Sequence, residues 1–260
     1  MGGERELWSQ DSVKAVVLAA GKGTRMGALT QDIPKAMIPL LGAPAVEHVL
    51  RRLVMAGISE FVIVTRYLAE RIESYLGDGS RLNASIRYVR QSDKYGTGQA
   101  LLETREAVGD QTLMMTYGDI LTPACNYSGA LAVFDQTGTD AVVTLNEVPD
   151  PCRGGAVQVG EDGRVTGIIE KPPAGVVPSH WNSSGILVFK PIIFDYLERI
   201  GLSPRGELEL PDAVNLMIAD GLRVQPYYLR GPWIDVGRPE DIPEAERMLS
   251  EDSFDGDWGS

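Results

Sequence analysis

Leu18-Ala-Ala-Gly-Lys-Gly-Thr-Arg-Met-Gly27 closes a short apolar run, Val13–Ala20 (VKAVVLAA), of the kind that forms a buried parallel strand. Glycines 21, 23 and 27 let the backbone turn tightly and present its N–H groups without Cβ interference. A strand followed by such a loop is a place where oriented amides hold phosphate oxygens. From Ser12 to Gln31 there is no carboxylate, while Lys14, Lys22 and Arg25 supply three cations. An acid-free island in an acidic chain suits a polyphosphate. The spacing is G-x-G-x-x-x-G, one residue longer than the dinucleotide fingerprint, and the Walker pattern G-x-x-x-x-G-K-[ST] is absent.

Working outward, Pro44–Ala56 places Val46, Val49, Leu50, Leu53 and Val54 at helical spacing between a proline start and a Gly57 stop. Phe61–Thr65 reads as a strand, Ala69–Leu76 as a helix, Ile86–Arg90 as a strand, Gly98–Val108 as a helix and Leu113–Tyr117 as a strand. This βαβα alternation implies helices on both faces of a mostly parallel sheet. After about Thr139 strands follow one another, at Ala141–Leu145, Ala156–Val159, Val165–Ile169 and Gly185–Phe189. Helices return at Pro191–Ile200, Leu210–Ala219 and Glu240–Leu249. The expected fold is α/β, a three-layer Rossmann-like domain with a mostly parallel mixed sheet over residues 13–249. An N-terminal extension (1–12) precedes it and an acidic tail (250–260), expected to be disordered, follows.

The 260 residues carry 24 Lys plus Arg against 36 Asp plus Glu, a formal charge of −12. That balance argues against nucleic acid or an anionic membrane as a partner, because phosphate backbones reward clustered cations. Hydrophobic residues make up 43% and charged residues 23%, so a packed core is expected. Cys125 and Cys152 are too few for a disulfide framework or a zinc site. Met1–Gln10 is polar and mixed in charge, unlike a secretory leader. The longest uncharged run, Pro172–Phe189, holds three prolines, His180 and Asn182, so a membrane helix is not expected there. A cytoplasmic location follows as an expectation.

Further short motifs follow the loop in order: Pro34-Lys35, Ile38-Pro-Leu-Leu-Gly-Ala-Pro44, Gly96-Thr97-Gly98, Tyr117-Gly118-Asp119, Glu170-Lys171-Pro172, Asn182-Ser-Ser-Gly185 and Trp233-Ile-Asp-Val-Gly237. With L-A-A-G-K-G-T-R-M, this series resembles the sugar-1-phosphate nucleotidyltransferases, or nucleoside-diphosphate-sugar pyrophosphorylases, over about Val13 to Glu246.

The resemblance implies transfer of a nucleoside monophosphate from an NTP to a sugar 1-phosphate with release of pyrophosphate. It assigns Arg25 and Lys35 to catalysis through charge, and Asp119 and Asp235 to a Mg²⁺ ion. Those aspartates are 116 positions apart, so only the resemblance brings them together. It gives nucleotide contacts to Ala19, Gly21, Gly23, Thr24, Gln91, Gly96 and Thr97, and sugar-phosphate contacts to Gly155, Glu170, Lys171 and Asn182. The physical sense is sound: Arg offers a fork of donors to phosphate, and Mg²⁺ takes a few carboxylate oxygens beside phosphates and water.

The Gly-Thr-Gly form resembles that of uridylyl and some thymidylyl members more than the Gly-Thr-Ala of many guanylyl enzymes, which implies UTP or dTTP, and the resemblance favours a glucose 1-phosphate type of acceptor. Departures at Gly27-Ala28, Ala43 and Tyr95 touch base and sugar choice more than chemistry. Cytidylyl and guanylyl enzymes acting on other acceptors share the opening motif, and a non-catalytic regulatory paralogue would keep the fold. Members of the family are often dimers or tetramers, so a homo-oligomer is allowed.

Overall fold

A computed structural model of the chain describes residues 13–93, 96–149, 154–173 and 179–251. The extension 1–12, Tyr95, Cys152 and the tail from 252 onward lie outside the described residues. The strands are β1 (Val13–Leu18), β2 (Pro39–Leu40), β3 (Ala43–Pro44), β4 (Glu60–Thr65), β5 (Ser85–Arg90), β6 (Thr112–Tyr117), β7 (Ile120–Leu121), β8 (Ala141–Glu147), β9 (Gly155–Val159), β10 (Val165–Glu170), β11 (Trp181–Phe189), β12 (Val224–Tyr228) and β13 (Ile234–Asp235). The helices are α1 (Ala45–Met55), α2 (Ala69–Leu76), α3 (Thr97–Leu102), α4 (Arg105–Val108), α5 (Ala124–Thr137), α6 (Ile193–Arg199), α7 (Leu210–Ala219) and α8 (Ile242–Ser250). No helix among the described residues is long and apolar enough to cross a membrane.

Among the described residues one nine-stranded sheet organises the fold. Its first half, β6-β1-β4-β5, is wholly parallel. The second half turns antiparallel at β11, which pairs β6 through Leu187–Phe189 and β9 at Asn182 on one side, and β8 on the other. β12 then adds parallel to β8. Alternation along the strands splits the core. Ala15, Val17 and Ile63 point to the layer of α1, α2, α5 and α8, whereas Val16, Val62 and Met115 point to that of α3, α6 and α7. This is the expected three-layer α/β fold.

The single helix expected over Gly98–Val108 is two, α3 and α4, broken at Glu103–Thr104. Thr104 bonds back to the Leu101 carbonyl through both its hydroxyl (2.7 Å) and its N–H (2.9 Å), a local side-chain option that competes with helix continuation. α5, β12 and the two-residue strands β2, β3, β7 and β13 lie outside the expected pattern.

α1 carries a buried carboxylate, Glu47, bonded by Tyr75 Oη at 2.7 Å, Arg81 at 2.9 Å and Arg51 Nε at 3.0 Å. Burial alone would raise its pKa from the ordinary 4.5, yet the bonds from Tyr75, Arg51 and Arg81 hold it at about 2. A depressed carboxyl stabilises the fold above its unfolded value and loses that contribution as pH falls toward 2. Glu47→Gln is therefore expected to lose about 2 kcal/mol in urea unfolding at pH 7, with the deficit shrinking between pH 5 and pH 3. A deficit independent of pH would contradict this.

Candidate active site

The chain reverses its direction of travel across the sheet between β1 and β6: β4 and β5 lie on one side of β1, and β6 on the other. Ligands of open α/β sheets bind in the crevice at such a point, beyond the carboxyl ends of the strands. Here β1 runs out into the glycine loop and β6 into Gly118-Asp119, joined by the Gly118 N–H donating to the Leu18 carbonyl at 3.0 Å.

The glycine loop leaves β1 and forms a run of 3₁₀ turns, Thr24–Thr30. Gly23 has φ +70°, and a Cβ there would lie 2.8 Å from Cβ of Lys35, so the loop packs directly on the lysine stem. Lys35 begins its own 3₁₀ turn after the extended Pro34. Its Nζ forms an ion pair with Asp119 Oδ2 and bonds Asp235 Oδ1 at 3.1 Å.

A two-residue ladder brings the distant aspartates together. Ile234 pairs with Leu121 and Asp235 with Ile120 in antiparallel register, and the Val236 N–H donates to the Asp119 carbonyl at 3.0 Å. Burial works against the Lys35 ammonium, but the attraction of Asp119 and then Asp235 outweighs it and raises its pKa above the ordinary lysine value. Lys35 is thus a fixed cation at neutral pH. Burial also pushes the Asp119 carboxyl up, with Lys35 pulling it back and Asp235 adding to the rise. The Arg25 guanidinium completes the group: a Cβ on Gly237 would lie 3.5 Å from both Arg25 Nη2 and Asp235 Oδ1.

These groups open onto a cleft of about 940 Å³ whose walls also hold Thr97, Gly155, Glu170, Lys171 and Asn182. Glu170 ends β10, and Lys171 follows at φ +45°, a left-handed turn whose N–H donates to the Gly154 carbonyl at 2.8 Å. Lys171 Nζ lies 3.5 Å from Glu170 Oε1. Asn182 is buried in β11 and donates to Asn146 Oδ1 at 3.0 Å. The tighter demand for glycine falls one residue before Gly155, since a Cβ on Gly154 would meet Asn182 Oδ1 at 2.2 Å.

Ala19, Gly21, Gly23, Thr24, Gln91 and Gly96 stand outside the walls of this cleft, on the neighbouring loops at the ends of β1 and β5. Gln91 is anchored by its N–H to the Thr65 carbonyl at 2.8 Å, and Ala19 by its N–H to Val64 at 2.8 Å.

Sequence reasoning missed the 203–210 segment. Arg205 chelates the buried Glu209 through Nε at 3.1 Å and Nη2 at 2.6 Å, and its Nη2 lies 3.8 Å from Glu170. The Leu208 carbonyl accepts the Gly98 N–H at 2.9 Å, so this segment braces the Gly-Thr-Gly turn and the Glu170 wall together. The alternating charges of Arg-Gly-Glu-Leu-Glu209 were its one signal. His48, within α1, bonds the Leu40 carbonyl at 2.8 Å and lies apart from the cleft.

The nucleotidyl transferase family model matches residues 14–252. The chain belongs to the nucleotidyl transferase family. This nucleotidyl transferase family member is 34% identical to the UTP–glucose-1-phosphate uridylyltransferase AglF of Haloferax volcanii, over 93% of this chain and 98% of that protein. It is 32% identical to a glucose-1-phosphate thymidylyltransferase of Streptomyces griseus, over 92% and 66% of the respective lengths. The UTP-bound UGPase of Acinetobacter baumannii superposes with a TM-score of 0.78 at 27% identity, covering 93% of this chain and 95% of that one. Against other curated relatives this family member spans 67% of one and about half, 53%, of another.

Proposed function

We propose that the protein joins a nucleoside triphosphate, UTP or dTTP, to a hexose 1-phosphate of the glucose type, giving a nucleoside-diphosphate sugar and pyrophosphate. The observation that carries this reading is the convergence of Lys35 with Asp119 and Asp235 in the same cleft that Glu170 and Lys171 line. The named activities of the uridylyl and thymidylyl relatives support both nucleotides and the glucose 1-phosphate acceptor.

In the proposed reaction a phosphate oxygen of the sugar 1-phosphate bonds to the α-phosphorus, and the bond from that phosphorus to the bridging oxygen breaks, releasing pyrophosphate. The attacking group is already ionised above its second pKa of about 6, so the protein needs no general base. Its task is to bring two anions together in line and hold the charge that develops. Arg25 offers a planar fork of donors to the triphosphate and the departing pyrophosphate. Lys35, kept as a cation by its two carboxylates, faces the attacked phosphate. Lys171 takes the sugar phosphate, and Glu170 and Asn182 take sugar hydroxyls, with Gly155 lending backbone. Ala19, Gly21, Gly23, Thr24, Gln91 and Gly96 hold the nucleotide on the two adjoining loops, with Thr97 at the cleft wall.

The pair Asp119 and Asp235 fits Mg²⁺, which prefers one or two carboxylates together with phosphate oxygens and water. Among the described residues no group of three or more His, Cys, Asp or Glu side chains comes together, so a larger all-protein cage is not built there. Mg²⁺ bound at these carboxylates would neutralise phosphate charge and align the two substrates.

The test is pyrophosphate release across a matrix of NTPs and sugar 1-phosphates with Mg²⁺. The expected result is strong turnover with UTP or dTTP and glucose 1-phosphate; turnover only with CTP or GTP and a different acceptor would replace the substrate assignment. Nucleotide binding without turnover would favour a regulatory role. Lys171→Ala is expected to raise KM for the sugar phosphate roughly tenfold or more, the worth of a charge-assisted hydrogen bond. An effect confined to the KM for NTP would contradict its placement.

A further inference from the structure

The turn after β4 holds an aromatic residue that the cleft's charged groups leave out. Tyr67 stands two positions beyond Thr65, the last residue of β4. Its hydroxyl donates to the Gln31 carbonyl at 2.6 Å and approaches the Thr30 carbonyl at 3.3 Å. The Lys22 ammonium lies 5.3 Å from the centre of its ring, within cation–π range. One side chain therefore touches the glycine loop at both ends, residue 22 and residues 30–31. Between those ends the loop closes on itself at the Gly23 carbonyl, which accepts Thr30 Oγ1 and the Met26 N–H, each at 2.8 Å.

The backbone bends to aim this residue. Leu68, next in the chain, has φ +48°, a left-handed conformation that leucine rarely adopts and that persists only where its surroundings impose it. The same turn also reaches the second loop: the Thr65 carbonyl accepts the Gln91 N–H at 2.8 Å, and Arg66 pairs with Asp93 at 3.3 Å.

We propose that Tyr67 is a positioning residue for the nucleotide: its hydroxyl and ring clamp residues 22–31 so that Arg25, midway along the loop, is preset for the triphosphate. This rests on reading the loop as the triphosphate site. A clamped loop has less freedom to lose when the nucleotide binds, so the clamp acts on affinity for one substrate and not the other.

The experiment compares Tyr67→Phe and Tyr67→Leu with the wild-type chain in two measurements. Hydrogen exchange of the free protein reads the loop directly, and calorimetric titration with UTP and Mg²⁺ reads nucleotide affinity beside the KM for sugar phosphate at saturating UTP. Tyr67→Phe, which keeps the ring, is expected to weaken UTP binding about fivefold, the worth of one net hydrogen bond. Tyr67→Leu is expected to weaken it about 30-fold and to speed exchange across 22–31, with β1 and β4 protected as before and the sugar-phosphate KM unchanged.

Loop exchange equal to wild type in both variants would overturn the clamp, as would equal losses of affinity for both substrates accompanied by a lower melting temperature. Should the leucine variant fail to fold, the phenylalanine variant decides alone, since it removes only the hydroxyl. A wild-type chain that binds no nucleotide would sink the parent reading, whereas the exchange measurement still decides whether Tyr67 holds the loop.

Discussion

Asparagine in place of Asp119 is expected to slow pyrophosphate release on the order of 10³-fold while the chain stays folded. The side chain is 13% exposed and pairs with Lys35, whose ammonium also bonds Asp235 at 3.1 Å. Asparagine keeps the shape and an acceptor oxygen, so Lys35 retains two partners and only the negative charge is lost. A merely structural carboxylate would show the reverse pattern, with a lowered unfolding midpoint and near-normal turnover. Asp235→Asn is expected to match the loss of rate with less effect on stability, because Asp235 is 42% exposed. Steady-state rates and urea midpoints measured together separate the two effects. Turnover within twofold of wild type in both variants would remove the pair from the chemistry.

Arg25→Ala is expected to lower kcat/KM for the nucleotide by about 10²–10³-fold, with the KM for sugar phosphate little changed. The guanidinium stands beside Gly237 and Asp235, at the edge of the group that gathers around Lys35. Lysine at this position keeps a charge but loses the planar fork, so Arg25→Lys is expected to recover little of the loss. An unaltered nucleotide KM in the alanine variant, or full recovery with lysine, would contradict a phosphate-clamping role.

The sequence made much of the fold legible because its elements obey simple periods. α2 and α7 fall on the expected Ala69–Leu76 and Leu210–Ala219, and α1 lies one residue inside the expected ends. α5 escaped because the Ala124–Thr137 sequence is nearly uncharged and carries a central glycine, which reads as a breaker. In the structure that glycine meets a packing demand: a Cβ on Gly129 would lie 2.3 Å from the Tyr227 hydroxyl. β12 escaped through Pro226, which only an edge strand tolerates; β12 pairs β8 on one side.

The site was legible as a set of short motifs and not as an arrangement. No periodicity reveals a two-residue ladder such as β7–β13, yet that ladder sets Asp235 beside Asp119. The brace from Arg205 to Glu209 and Glu170 depends on a loop returning over α3, which local pattern cannot encode.

The most direct test of nucleotidyl transfer follows the α-phosphorus itself. UTP labelled at the α-phosphate is incubated with glucose 1-phosphate, Mg²⁺ and the wild-type chain, and the products are separated. All converted label is expected to move into a sugar nucleotide, with an equal amount of unlabelled pyrophosphate. Label recovered in UDP beside orthophosphate, or label left in UTP while the nucleotide is demonstrably bound, would contradict nucleotidyl transfer.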